Sequence, residues 1–327
     1  MPEMTLVDAI RQALDEEMER DSNMFIVGED VGVRGGVFRA TAGLIEKYGS
    51  DRVIDSPLSE ASIVGVGIGA ALYGMHPVCE IQFSDFIFPA FNQIINQAAK
   101  MCYRSGGEWT VPMVIRAPYG GGIGGGLYHS QSVEAFFTHT PGLKVVIPSN
   151  PADARGLLKA AIRDPNPVIF LEPKKGYRLI KADVPDGDGL VPLGSAKVTR
   201  TGSDLTVIAY GMMHYYTLQA AEKMAAEGIS VEVIDLRTLY PVDLGTVLAS
   251  VAKTGKALVI YEDNLTGGYG AEIAASIGEH TFTDLDAPVR RLAGPDVPAM
   301  PFSRPLQDWF MLNPEKIASA IRELAAY

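Results

Sequence analysis

The stretch Ile54-Asp55-Ser56-Pro57-Leu58-Ser59-Glu60-Ala61-Ser62-Ile63-Val64-Gly65-Val66-Gly67-Ile68-Gly69-Ala70-Ala71-Leu72 sets one carboxylate at the mouth of an apolar segment. After Glu60 no charged side chain occurs before His76. Gly65, Gly67 and Gly69 let another backbone or a ligand approach closely. Polar groups buried in such a segment need partners. Arg52–Asp55 reads as a strand and Ser59–Tyr73 as an apolar helix, so the chain passes from strand to helix just where Glu60 stands. Glu60 is a candidate proton donor or hydrogen-bond partner. It is equally what a helix favours in its first turn, where the dipole attracts a negative charge.

The same alternation extends in both directions. Thr5–Glu19 carries Leu6, Ala9, Ile10, Ala13, Leu14 and Met18 at helical spacing, with Thr5 as a candidate N-cap. Met24–Gly28, His76–Ile81, Pro112–Arg116, Leu143–Ile147 and Val168–Glu172 are short β-branched runs, and Phe88–Tyr103 and Pro151–Ile162 read as helices. Short apolar strands separated by helices imply a mostly parallel sheet covered on both faces. Residues 181–195 are rich in Asp, Gly and Pro without periodicity and read as a linker. A second α/β set follows, with strands at Leu205–Tyr210, Val231–Leu236, Ala257–Tyr261 and Val289–Leu292. The expectation is two three-layer α/β/α domains, 1–180 and 196–327, joined by 181–195.

Composition narrows the function. The chain has 327 residues, 47% of them hydrophobic and 20% charged, enough for two buried cores. A net charge of −11 argues against nucleic acid as a partner. Cys79 and Cys102 form no paired motif, so neither a disulfide framework nor a zinc site is expected. No run reaches roughly 18 apolar residues and no signal peptide is visible at Met1–Thr5, so a cytoplasmic protein is expected, or a matrix one if the chain is processed.

Three further places could carry chemistry. Gly120–Gly126 holds six glycines in seven positions after a strand, and His129 follows it. This is neither a dinucleotide fingerprint nor a P-loop, since no suitable helix or Lys-Ser/Thr follows. It reads as a mobile loop or a lid, with His129 as a structural histidine or a proton donor. Gln82 and Phe86 follow the strand His76–Ile81, where ligands bind in α/β sheets; Phe86 is either core or a stacking surface. Gly187-Asp188-Gly189 has the opening letters of the thiamin diphosphate/Mg²⁺ motif, but the next Asn is Asn264, so it reads as a turn.

Taken together, Ser56–Glu60, Glu80–Phe83, Arg104–Gly107, Tyr128–Ser132, Pro141–Val146, Asp164–Pro167 and Asp235–Pro241 resemble one family. It is the beta chain of the thiamin-diphosphate-dependent 2-oxo acid dehydrogenases, in the transketolase-like superfamily. The resemblance implies an N-terminal pyrimidine-binding domain and a C-terminal transketolase-like domain. It also implies an alpha2beta2 assembly in which the alpha subunit holds the diphosphate and Mg²⁺. In that reading Glu60 is the activating carboxyl on the aminopyrimidine, Phe86 stacks on that ring, and Leu58 and Gln82 complete its pocket. His129 is the histidine that meets substrate or lipoyl group during acyl transfer. Asp164 and Asn166 match a structural K⁺ site. The dihydrolipoyl acyltransferase would dock on the C-terminal domain. Residues 172–178, 87–91 and 265–269 look more like branched-chain enzymes than mammalian-type pyruvate ones, and bacterial pyruvate and acetoin relatives share parts of them. A self-contained thiamin enzyme would need a third domain that this length does not hold. A non-catalytic scaffold subunit would have no reason to keep Glu60, Phe86 and His129 together.

Overall fold

The structure, a computed structural model, describes residues 3–327. The chain divides into two compact units. Unit 1 runs to Tyr119 and resumes over Phe136–Leu193; unit 2 is Gly120–Ala135 with Gly194–Tyr327. The elements follow in the order β1 (Glu3–Thr5), α1 (Leu6–Arg20), β2 (Met24–Gly28), α2 (Leu44–Tyr48), β3 (Val53–Asp55), α3 (Glu60–Leu72) and β4 (His76–Glu80). Then come α4 (Ala99–Arg104), β5 (Val114–Tyr119), α5 (Glu134–Thr138), β6 (Lys144–Val146), α6 (Pro151–Ile162), β7 (Val168–Pro173), α7 (Gly176–Leu179) and β8 (Lys181–Asp183). Unit 2 continues with β9 (Lys197–Arg200), β10 (Leu205–Ala209), α8 (Gly211–Ala226), β11 (Val231–Asp235), β12 (Thr238–Tyr240) and α9 (Leu244–Thr254). It closes with β13 (Ala257–Asn264), α10 (Gly270–His280), β14 (Arg290–Gly294), α11 (Arg304–Phe310) and α12 (Pro314–Ala325).

In unit 1 the strands run in the order β6-β7-β5-β4-β2-β3, all parallel. β2, β5 and β7 are buried at every position, as strands covered on both faces must be. Helix α1 starts on the Thr5 side chain, which accepts from Asp8 N–H, and buries Leu6, Ile10, Ala13, Leu14 and Met18. Helix α6 starts on Asn150, which accepts from Asp153 N–H, with Pro151 where no amide partner is needed. Arg155 and Lys159 of α6 and Arg163 at its C-terminal cap recur every fourth residue and so share a face. They meet Glu16 and Glu17 of α1 at 2.6–2.8 Å. Lys159 and Arg163 also hold Asp188, whose carboxyl these two hydrogen bonds keep well below the usual range. Gly187 and Gly189 have positive φ, so this segment is a turn tied to α6.

Two expectations need correction. The start of the stretch read as a linker is a strand: β8 pairs antiparallel with β1, Thr5 opposite Lys181. Two three-residue strands give too little periodicity to see. The single helix expected over Phe88–Tyr103 is a 3₁₀ turn at Phe88–Ala90, a π-helical stretch at Gln93–Ala98, and then α4. Pro89 removes a donor from the first turn, and the π stretch widens the register by one residue. Its aromatic face, Phe88 and Phe91, packs edge-on against Phe136 at 5.6 and 6.1 Å.

In unit 2 the sheet order is β14-β13-β10-β11-β9, parallel except for the edge strand β9. Helix α9 begins on Asp243, which accepts from Thr246 N–H, and ends on Gly255 in the left-handed region. Crossover helices between parallel strands make both units α/β layers, as expected.

One buried cluster ties the central strands of unit 1. Arg116 of β5 is 1% exposed and donates to both oxygens of Glu172 in β7, at 2.8 and 2.6 Å. It also donates to Glu80 of β4, and the Tyr177 hydroxyl donates to Glu172. One guanidinium cannot neutralise two carboxylates. Burial, and then the charge of Glu172, push the Glu80 carboxyl up against the pull of Arg116. Replacing Arg116 by Met leaves two buried acids without a counter-charge. We expect a loss of about 3–5 kcal/mol in urea unfolding. A loss near zero would mean that water already screens this cluster.

Candidate active site

Parallel strands leave the sheet on one edge, so β2, β3 and β4 deliver three loops to the same place. After β2 comes Glu29, after β3 Ser56–Glu60, and after β4 Ile81–Phe86. β3 lies on one side of β2 and β4 on the other, which opens a crevice between the loops of β2 and β4. Ser56 N–H donates to Gly28 O at 2.8 Å, and Asp55 accepts from Gly32 N–H at 2.6 Å. Gly32 lies so close that a Cβ there would come within 2.6 Å of Asp55 Oδ2. These contacts fix the loop from Glu29 to Gly36 over the strand ends.

Glu60 is the first residue of α3 and is half-buried. Leu58, just before it, is 73% exposed, so its side chain faces open space. Gln82 is half-buried and its amide donates to Glu29 O at 3.4 Å, across the crevice. Phe86, also half-buried, stands edge-on to Phe83 at 5.5 Å. Phe83 in turn packs on Phe38, and Phe38 on Tyr177, at 5.3 and 5.2 Å. The Tyr177 hydroxyl reaches Glu172 and so the Arg116 cluster. Phe86 therefore rests on an aromatic column whose base is pinned by charge.

Glu29 was not singled out in the sequence. Burial, then the charges of Asp30 and Glu60, push its carboxyl up. An acidic pair directly after a buried strand was the available signal. Asp164 and Asn166 lie in the loop before β7, at the opposite edge of the sheet. The Lys144 ammonium meets Asp164 Oδ2, and Asn166 N–H donates to Asp164 Oδ1 at 2.9 Å.

His129 belongs to unit 2 and is half-buried, after a 3₁₀ turn at Gly126–Tyr128. Three acids cluster in the same unit. Glu134 is wholly buried and accepts from the Tyr210 hydroxyl at 3.0 Å. Its Oε2 has no partner among the described residues. Burial, then the charges of Asp263 and Glu262, push Glu134 up to about 8. Asp263 is pushed up to about 6, by burial and then by Glu262. About 130 residues separate Glu134 from the other two, so no sequence motif joins them. Among the described residues no group of three or more His, Cys, Asp or Glu could hold a metal ion, and no helix is long and apolar enough to cross a membrane.

Similarity to known proteins gives the family. The chain matches the "Transketolase, pyrimidine binding domain" model over residues 2–180 and the "Transketolase, C-terminal domain" model over 194–317. A solved split-gene transketolase, an inactive beta4 tetramer, superposes with a TM-score of 0.80 at 23% identity, covering 99% of this chain and 98% of that one; it speaks for the fold alone. The 2-oxoisovalerate dehydrogenase subunit beta of Bacillus subtilis is 57% identical over 327 residues, covering 100% of both chains. The pyruvate dehydrogenase E1 component subunit beta of the same organism is 45% identical over 324 residues, covering 99% of each. The chain belongs to the beta subunits of the thiamin-diphosphate-dependent 2-oxo acid dehydrogenases, within the transketolase-like fold.

The raised Glu134 carboxyl has a consequence for stability. The unfolded chain gives up this proton near the ordinary value of 4.5, while the folded chain keeps it until about 8. Its contribution is fully present below 4.5 and is lost as pH rises through 8. Glu134→Gln should flatten the fall in melting temperature between pH 5 and 9. An unchanged slope would show that Glu134 titrates normally.

Proposed function

We propose that this chain is the beta half of a split active site that decarboxylates a branched-chain 2-oxo acid and passes the acyl group to the lipoyl group of a dihydrolipoyl acyltransferase. The observation that carries the reading is the placement of Glu60 at the head of α3, with Glu29, Gln82 and Phe86 on the same strand edge. Family membership supplies the cofactor class, and the greater likeness to a 2-oxoisovalerate subunit than to a pyruvate one favours the branched-chain acid.

These residues suit the aminopyrimidine half of thiamin diphosphate. Phe86 offers a ring supported from behind by Phe83, suited to stacking on a flat heterocycle. Glu60 offers a carboxyl for the ring nitrogen, and Leu58 an exposed apolar wall. Gln82, anchored on Glu29 O, fixes the crevice wall. Glu29, its carboxyl pushed up by burial and then by Asp30 and Glu60, holds its proton more readily than a free acid beside Glu60. Once bound, the cofactor supplies the electron sink for loss of CO₂. His129 serves acyl transfer as hydrogen-bond or proton donor to substrate or lipoyl group.

The diphosphate and Mg²⁺ are assigned to an alpha subunit. Asp188 is engaged by Lys159 and Arg163 and is not available to a metal. The expected K⁺ site fits poorly, because Lys144 already supplies a positive charge to Asp164, and no step is derived through it. A partner chain also explains α3, whose exposed residues Ser62, Val66, Gly69 and Leu72 carry no charge. An exposed uncharged helix face of this kind marks an interaction surface.

Glu60→Gln in the reconstituted alpha2beta2 complex should abolish 2-oxo acid decarboxylation, a loss of at least about 100-fold, with assembly intact by size-exclusion chromatography. Turnover equal to the parent would remove Glu60 from the role.

A further inference from the structure

Six glycines in seven positions suggest slack, yet in unit 2 each of several is small because something sits against it. Gly121 N–H donates to Glu262 Oε1, near the end of β13. Gly120 N–H donates to Gln131 O at 2.9 Å. A Cβ on Gly121 would overlap the Met300 side chain, and one on Gly126 would overlap the Phe302 ring. A Cβ on Gly125 would stand 2.6 Å from the Cβ of His129. The loop that carries the imidazole is thus held by the Glu262 carboxylate and packed against two large side chains, Met300 and Phe302.

We propose that Glu262 is a positioning residue for His129: its carboxylate seats the Gly121 amide and so sets where the glycine loop delivers the imidazole. This rests on the reading of His129 as an acyl-transfer residue. Glu262 is 7% exposed and stands on a sheet strand, so its acceptor oxygen is fixed by the fold and little disturbed by water. Ordering a glycine costs more backbone entropy than ordering any other residue. A run of them stays in one conformation only if such contacts offset that cost. Met300 and Phe302 fill space but set no direction; the hydrogen bond from Gly121 sets direction. Glu262 touches no reacting atom in this account and acts through the loop alone.

The test uses the assembled alpha2beta2 complex. Hydrogen exchange of the segment 119–128 is read in the parent, Glu262→Ala and Glu262→Gln. Reductive acylation of a free lipoyl domain is measured beside dye-linked decarboxylation, with His129→Ala as a control. In the parent, the Gly121 segment is protected. Glu262→Ala removes the acceptor, so the segment exchanges faster and kcat for reductive acylation falls roughly ten- to a hundredfold, the cost of a misplaced group. KM for the 2-oxo acid and dye-linked turnover change much less. Glu262→Gln keeps a carbonyl acceptor and recovers most of the rate and protection.

A parent segment that exchanges like free chain would overturn the proposal, whether or not the variants assemble. So would full reductive acylation in Glu262→Ala, or a Gln variant as poor as the Ala variant. If His129→Ala itself keeps the full rate, the acyl-transfer role of His129 fails. The exchange data then still decide whether Glu262 seats the loop.

Discussion

β2, β3 and β4 are parallel neighbours, and that pairing places the rest of unit 1. Parallel strands need a crossover between them and all exit on one edge, so the chemistry collects there. The pairing also requires the strands to be buried on both faces, which leaves Arg116 without water. Glu80 and Glu172, on the strands to either side, answer its charge. From Glu172 the support continues through Tyr177, Phe38 and Phe83 to Phe86. In the proposed role of Phe86, stacking on a flat heterocycle, this column is its support from behind.

Unit 2 meets the same demand differently. Its candidate residue is carried by a glycine loop rather than a strand end, and the loop is immobilised by what lies against it. Glu134, Glu262 and Asp263 lie within electrostatic reach of one another, and burial, then the charges of Asp263 and Glu262, leaves a proton on Glu134 at neutral pH. Unit 2 contains Gly120–Ala135 as well as everything from Gly194 onward, so the glycine loop and His129 belong to it.

Much of the fold was readable because its signals are local. β2 is a continuous apolar run and α1 has strict helical spacing, so both are recognisable in isolation. β1 and β8 are three residues each and exist only through their pairing, which no local pattern records. The 3₁₀ and π turns between Phe88 and Ala98 keep helical composition, so only the backbone of the fold reveals them. At the site, Glu60, Gln82 and Phe86 stood out by position after strands. Glu29 reads as an ordinary loop acid until its burial, with Asp30 and Glu60 nearby, is seen to raise it. Glu262 looks like a strand-end acid until Gly121, 141 residues away, is found donating to it.

The proposed split site puts the aminopyrimidine on this chain and the diphosphate and its metal on an alpha subunit. The direct measurement is 2-oxo acid decarboxylation by this chain alone and after co-expression with an alpha subunit. Thiamin diphosphate and Mg²⁺ would be present, with 2-oxoisovalerate and pyruvate compared. The account requires turnover only with the partner, and faster on 2-oxoisovalerate. Turnover by the isolated chain would contradict the split site.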